Sequence, residues 1–538
     1  MIAGLVHSIA SQPFGPSPSP ATVPGANIFT SAFILSIAIW APVLMAAVIG
    51  VMPNPRGRYD TLIKQIAFFT NFLVLFLLFV AYNQFQNFLP SMQYEENRSW
   101  LPAIGATYHL GVDGPAILML MLSALIGIIA VLASLGIRTR VRAYFALLLL
   151  TQACVTGAIA AHDLFVLVLF WSAATVPLAL LILGWGGPRR EAAAWRLVGY
   201  WGAGTLALVL AVVGLYVASG GTSFDMDVVL KNPIGPRAEV VVAVALLIAG
   251  ATRLPLFPLH GWARDVYADA PIGVSVVIAG SASRLGGYLL LRVLVGGEPD
   301  GAKLVAPLVA AVAAITVVYG AVAALRSPDV RHAAANLALI PGGVTALGLA
   351  ALTPLSIAGS VLSLFAGGMA SALIVSAFAT LSDRAQTRNL AVLSGVAARM
   401  PKVAWLTVLA ALGLLGVPLM ASFTSNEMTF FGAFKTQPVG AFAVAAGLAV
   451  AAIAVAVIIQ RVLFGPPNPD APAVSDSSLS ESWYLGLLAG ALLWVGIVPG
   501  GPKIPGTDTP LFDPGLVNQM VANIPEISAP YSGTSATP

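Results

Sequence analysis

The stretch Ala251-Thr252-Arg253-Leu254-Pro255-Leu256-Phe257-Pro258-Leu259-His260 places an arginine and two prolines inside a run that is otherwise apolar on both sides. Proline removes an amide donor and kinks a helix. In lipid, the carbonyls so freed must find partners inside the protein. Working outward from this stretch, apolar runs of ~20 residues recur along the chain, the length of a membrane-crossing helix. Of the 538 residues, 58% are hydrophobic and 9% are charged, and the mean hydropathy is +0.90. A soluble domain carries about 25% charged residues, so this composition excludes a soluble globular fold. Disorder needs low hydrophobicity and is excluded as well. A transmembrane β-barrel would alternate polarity residue by residue, whereas these runs are continuous. The expected class is an all-α polytopic membrane protein.

The apolar segments number about fourteen. They group as a first set of three spans over 31–135, five spans over 142–295, five over 304–463, and a last span at 483–499. Residues 1–30 hold no Lys, Arg, Asp or Glu and lack the basic start of a secretory signal, so they read as an irregular lead-in. Residues 500–538 form a Pro-rich polar tail. Arg56, Arg58, Arg138, Arg140, Arg142, Arg189 and Arg190 crowd one set of alternate connections, against Arg98, Lys231, Arg237 and Lys303 on the other. Basic residues collect on the cytoplasmic side, so both termini are expected outside a bacterial inner membrane. For the same reason the net charge of +4 is read as loop asymmetry, with lipid and not nucleic acid as the contact.

Pro177 interrupts the fifth span, Pro255 and Pro258 the seventh, and Pro418 the twelfth. The breaks in spans 7 and 12 lie five spans apart. This suggests two five-helix units, spans 4–8 and 9–13, which an odd span number forces into inverted topology. Charge inside the membrane is expensive and usually functional. Arg253, Arg284 and Glu427 qualify, and they outline a polar axis near the midplane. Arginine does not release its proton in proteins, whereas a buried lysine can. The two arginines can therefore supply field and hydration, but they cannot relay protons. A plainer role is to hold the broken helices together through carbonyls. Asp113 and Asp163, at span ends, read as caps. Cys154 is the single cysteine, which rules out disulfides and Cys-ligated clusters within the chain. The histidines His7, His109, His162, His260 and His332 are scattered, and none sits at metal-ligand spacing. Neither a phosphate loop nor a dinucleotide fingerprint is present.

Several motifs together resemble the antiporter-like subunits of respiratory complex I. They are Tyr108-His109-Leu110-Gly111-Val112-Asp113-Gly114, Gly184-Trp185-Gly186-Gly187-Pro188-Arg189-Arg190-Glu191, Pro255 to Trp262, Ala270-Pro271 with Ser275, Arg284-Leu285-Gly286-Gly287-Tyr288, Asp383-Arg384 with Thr387-Arg388, and Met400-Pro401. The resemblance runs from about residue 100 to 465, and chain length favours the M-type subunit. It implies a subunit that supports proton translocation driven by quinone reduction elsewhere. FMN, iron–sulfur clusters and the quinone site would lie in partner subunits of the membrane arm and its extension. In the family, Glu and Lys residues on the broken helices carry protons. Position by position, the fifth-span Glu is Ser172 here, and the seventh- and eighth-span Lys are Arg253 and Arg284. The tenth-span Lys is Arg331 and its His is Pro341. The twelfth-span Glu is Asn426, with Glu427 next to it, and His260 is kept. Arg264 and Tyr267 stand where the family usually has Pro and His. Titratable groups have become neutral or permanently charged. The expectation is that this subunit's own proton channel is lost or rewired through His260, Glu427, Asn426, Ser172, Thr175 and water. The alternative is a subunit of a multisubunit cation/proton antiporter, a membrane-bound hydrogenase or an inorganic-carbon uptake complex.

Overall fold

The computed structural model describes residues 33–86, 92–231, 234–466 and 476–497. The lead-in 1–30 and the tail 500–538 lie outside the described residues. Helices α1 (Ile34–Val51) and α2 (Asp60–Gln84) are followed by a hairpin of β1 (Gln93–Leu101) and β2 (Ala106–Val112), then by α3 (Gly114–Ala133), α4 (Val141–Ala160), α5 (Leu164–Trp185) and α6 (Arg190–Ala218). A short helix α7 (Met226–Val229) leads to α8 (Pro236–Arg253), α9 (Ala263–Asp269) and α10 (Ile272–Val295). The remainder comprises α11 (Pro299–Leu325), α12 (Val330–Ala351), α13 (Pro354–Arg384), α14 (Pro401–Leu415), α15 (Ala421–Thr436), α16 (Pro438–Phe464) and α17 (Leu479–Ile497).

Twelve of these helices are long and apolar enough to cross a membrane. Two expected spans fall short of that measure. The seventh becomes α8, which carries Arg237, Glu239 and Arg253 within its 18 residues and stops at the proline pair. The twelfth divides into α14 and α15, of 15 and 16 residues, on either side of Pro418. The break in α5 falls at Ala174, because Pro177 cannot donate to the carbonyl of Ala173 four residues back.

Sequence sets most helix starts. Asp113 caps α3 by accepting from Ala116 N at 2.8 Å, and Asp163 caps α5 by accepting from Phe165 N and Val166 N. Both were expected as caps. Asp329 does the same for α12, and Thr353 with Ser356 forms a reciprocal capping box on α13. The hydrophobic windows of α10, α12 and α13 are 100% buried, so these three helices form the centre. The windows of α1, α2, α6, α16 and α17 are 33–39% buried, and they present Leu44, Phe69, Leu206 and Val439 outward. Without water outside, such faces meet lipid or neighbouring subunits.

The hairpin adds one two-stranded sheet to the helical bundle. Its strands run antiparallel with Glu96 opposite Leu110 and Arg98 opposite Tyr108. Within the Tyr108–Gly114 motif, Tyr108 to Val112 is strand. The buried Glu96 carboxylate explains why the hairpin docks, since it accepts from Leu35 N and Ser36 N, both at 3.0 Å, at the free end of α1. A second departure is π-helical winding over Ile278–Ala282 and Leu290–Val295 in α10, on either side of Arg284. Where α10 crosses α8, a Cβ at Gly286 would collide with the Gly250 carbonyl and the Leu254 amide. Only glycine permits this approach of the two broken elements.

Candidate functional site

The end of α8 delivers Arg253 into the bundle, where the whole residue is buried. Its guanidinium lies between two indoles, 4.3 Å from the Trp171 ring centre and 4.1 Å from that of Trp201. It donates to the Trp171 carbonyl, while Nε and Nη1 find no partner among the described residues. Trp262, after the proline pair, holds the second indole edge-on at 5.2 Å and donates to the Thr252 carbonyl at 2.8 Å. This enclosure supplies ring quadrupole and exclusion of bulk water. Ser172, beside Trp171, donates to the Val168 and Leu169 carbonyls of its own helix at 2.8 and 3.1 Å. The structure thus brings Ser172 and Arg253 into one neighbourhood, with a carbonyl and an indole as the contacts.

Arg284 is also fully buried. Nε donates to the Ala279 carbonyl at 3.2 Å, a bond made available by the π-turn, and Nη2 donates to Ser371 Oγ at 2.8 Å. Ser371 passes its own hydrogen to the Ala338 carbonyl at 3.1 Å. Farther along α12 and α13, Thr345 and Ser363 share a bond of 2.9 Å, and Ser360 donates to the Thr345 carbonyl. Among the described residues, neither Arg253 nor Arg284 has a carboxylate in ion-pair range. His260 is buried beside the rings of Phe257 and Tyr319, at 5.5 and 4.4 Å, and its Nδ1 has no partner among the described residues. Asn426 and Glu427 lie half-buried on α15, after the second break. Arg331 stands apart, at the start of α12. It bonds Ser382 Oγ at 2.7 Å, the Ala268 and Ala379 carbonyls, and Asp383. Every nitrogen of that guanidinium is bonded, as in a clasp between helix ends. A second clasp ties Gly187 N to the Asp269 carbonyl at 2.7 Å and Arg388 to the Asp269 carboxylate at 2.9 Å.

At the hairpin end of the bundle the structure assembles a cluster that sequence spacing did not reveal. His109 of β2, His162 of the α4–α5 connection and Asp225 at the start of α7 place potential ligand atoms within 4.8 Å of one another. This corrects the reading of the histidines as scattered. His109 and His162 are 53 positions apart and Asp225 lies 63 further along the chain, so spacing gives no signal. Backbone bonds hold them: His162 N to the His109 carbonyl at 2.9 Å, Met226 N to the His162 carbonyl at 3.0 Å, and Leu164 N to the Phe224 carbonyl at 2.9 Å. His109 Nδ1 meets Asp225 Oδ2 at 2.6 Å, and His162 Nε2 meets Asp227 Oδ2 at 3.1 Å. Burial alone would lower the His109 pKa. The hydrogen bond and charge of Asp225, with Glu95 and Asp227, outweigh it and raise the pKa above the usual imidazole value. Burial pushes Asp225 upward, but His109 and the Asp227 amide bring its carboxyl below the usual range. The His162 hydrogen bond holds Asp227 low as well. Arg292 donates to His162 Nδ1 at 2.7 Å, Tyr288 Oη at 2.6 Å and Asp113 Oδ2 at 3.1 Å.

Residues 161–453, which contain Arg253, Arg284 and all three helix breaks, match the family model described as NADH:quinone oxidoreductase/Mrp antiporter, TM. The chain belongs to this family. It is 29% identical over 435 residues to the NADH-quinone oxidoreductase subunit M of Rickettsia prowazekii (strain Madrid E), covering 80% of this chain and 88% of that one. It is 30% identical over 444 residues to an NAD(P)H-quinone oxidoreductase chain 4 of Synechococcus sp. (strain JA-2-3B'a(2-13)), covering 81% and 83%. Among solved structures, a chain of respiratory complex I from Thermus thermophilus with bound NADH superposes with a TM-score of 0.80 at 24% identity, covering 92% of this chain and 99% of that chain. A chain of the Mrp complex from Dietzia sp. DQ12-45-1b gives 0.75 at 23% identity, covering 91% and 52%. These two likenesses show the fold. The chain is an antiporter-like, multi-pass membrane subunit.

Proposed function

We propose that this chain is the M-type subunit in the membrane arm of a complex-I-type NADH:quinone oxidoreductase. In this role it supports proton translocation without carrying a complete titratable proton path of its own. The observation that carries the second statement is Arg253. It is enclosed by Trp171 and Trp201, bonded to a carbonyl and distant from any described carboxylate. A proton relay needs a group that exchanges its proton and a neighbour whose charge shifts that exchange. A guanidinium keeps its proton, and Ser172 has no charge with which to modulate it. Arg284 repeats the pattern, with a serine hydroxyl and a carbonyl as partners. Both arginines fix the field near the helix breaks, with Arg253 tying the end of α8 to α5 and α6 and Arg284 tying α10 to α13.

The proposed organisation has two inverted five-helix units at 142–295 and 304–463, flanked by spans within 31–135 and at 483–499. Both termini face outward from a bacterial inner membrane. The unequal Lys and Arg distribution supports this orientation. The FMN, iron–sulfur clusters and quinone site belong to partner subunits. One cysteine cannot ligate a cluster within this chain.

The test is purification of the native complex with every subunit identified, followed by reconstitution into vesicles. NADH- and quinone-module subunits co-purify if the proposal holds, and antiporter or hydrogenase subunits co-purify if it fails. In the vesicles, Arg284→Ala is expected to leave the proton-to-electron ratio unchanged. A lowered ratio with intact electron transfer would show that the arginine axis conducts.

A further inference from the structure

The histidine–carboxylate cluster at the hairpin end lies apart from both arginines and plays no part in the proposal above. We propose that His109, His162 and Asp225 form a binding site for a divalent transition ion of the zinc class, with Asp227 orienting His162. Two imidazoles and a carboxylate are the donor set that borderline dications prefer.

The geometry supports this in four ways. First, the three ligand atoms already lie within 4.8 Å of one another. Ligands about 2.0–2.2 Å from a tetrahedral zinc sit roughly 3.5 Å apart, so small side-chain rotations close the site. Second, the backbone is fixed in advance. The bridges Leu110 to Ala161 and Asp163 to Asp225 lace β2, the α4–α5 connection and the start of α7 together. Third, His109 offers a free ring nitrogen. Nε2 is buried with no partner among the described residues, while Nδ1 is held by Asp225 Oδ2 at 2.6 Å. Carboxylate-bound imidazoles of this kind are the usual dress of metal-ligating histidines. Fourth, charge favours a dication. Asp225 and Asp227 bond the two rings, and Arg292, which donates to His162, has its charge matched by Asp113, as Lys231 has by Asp227. Arg292 keeps Asp113 and Tyr288 as partners when His162 turns to the ion. A bound ion would add a side-chain clip between the hairpin and the ends of α4 and α6, beside the backbone bonds that already join their connections.

The experiment uses the intact membrane complex, stripped with a chelator and dialysed against zinc chloride, with zinc counted per complex. Cobalt(II) chloride serves in parallel, its visible absorption reporting coordination geometry. The wild type is expected to hold one zinc that His109→Ala and Asp225→Asn lose, with loss of the tetrahedral cobalt band. Asp227→Asn should weaken binding about 10–100-fold. His162→Gln keeps a hydrogen bond to Asp227 and serves if His109→Ala does not assemble. It too must lose the ion. His332→Ala, elsewhere in the bundle, must retain it. An equal zinc count and an unchanged cobalt spectrum in all variants would overturn the proposal, as would adventitious zinc only. A proton-conducting arginine axis would leave these counts untouched, so this result and that of the preceding proposal are separable.

Discussion

Replacing Arg253 with methionine separates a structural arginine from a conducting one. The side chain has two ring contacts, worth about 2 kcal/mol each when desolvated, and one charge-assisted bond to the Trp171 carbonyl, worth about 1.5–3 kcal/mol. Opposing these is the cost of a buried guanidinium without a counter-ion, several kcal/mol in real proteins. Its two unpartnered nitrogens add about 1–3 kcal/mol each. The terms nearly cancel. Methionine refills most of the volume with a flexible apolar chain that packs well against indoles. Arg253→Met is therefore expected to change stability by no more than about 2 kcal/mol in either direction. The complex should assemble, oxidise NADH at the wild-type rate and pump with the same proton-to-electron ratio. The assay follows a pH-sensitive dye in vesicles alongside NADH oxidation. A fall in the ratio at an unchanged oxidation rate would refute the reasoning, because it would mean that protons pass through Arg253 or through water that it organises.

Three further outcomes follow from local geometry. Gly286→Val drives a side chain into the Gly250 carbonyl and the Leu254 amide and should cost at least about 1–3 kcal/mol, seen as a lower yield of assembled complex, whereas Gly202→Ala, with open space around it, should be silent. Glu96→Ala leaves the amides of Leu35 and Ser36 without their acceptor and should cost about 1–3 kcal/mol, read as earlier proteolysis of the hairpin. Glu298, outside the spans, has its pKa pushed up to about 7 by burial and then by the charges of Glu239 and Asp300. Native Glu298 therefore holds its proton where the unfolded chain, with the ordinary value of 4.5, has lost it. Wild-type stability should then fall between those two pH values, by up to about 3 kcal/mol. Glu298→Gln should remove that fall, so thermal midpoints at pH 5 and pH 8 would differ less in the variant, and an equal difference in both proteins would contradict the assignment.

The membrane class follows from composition alone, because 9% charge cannot cover a water-facing surface. The helix breaks at Pro255 and Pro418 and the caps at Asp113 and Asp163 were equally legible, since each rests on one residue acting on its own backbone within a few positions. Arg253, Arg284 and Glu427 stood out for a similar reason, as charges in apolar runs. What surrounds them did not. Trp171 and Trp201 reach Arg253 from helices 82 and 52 positions away, and an apolar helix gives no local sign of which of its faces turns inward. The hairpin escaped notice because its two strands are half-polar and short, and only pairing with each other and with α1 gives them shape. The convergence of His109, His162 and Asp225 is likewise a product of backbone bonds between three separate connections. Local rules in the sequence decided where helices begin, break and end, and the packing of distant segments decided which polar groups meet.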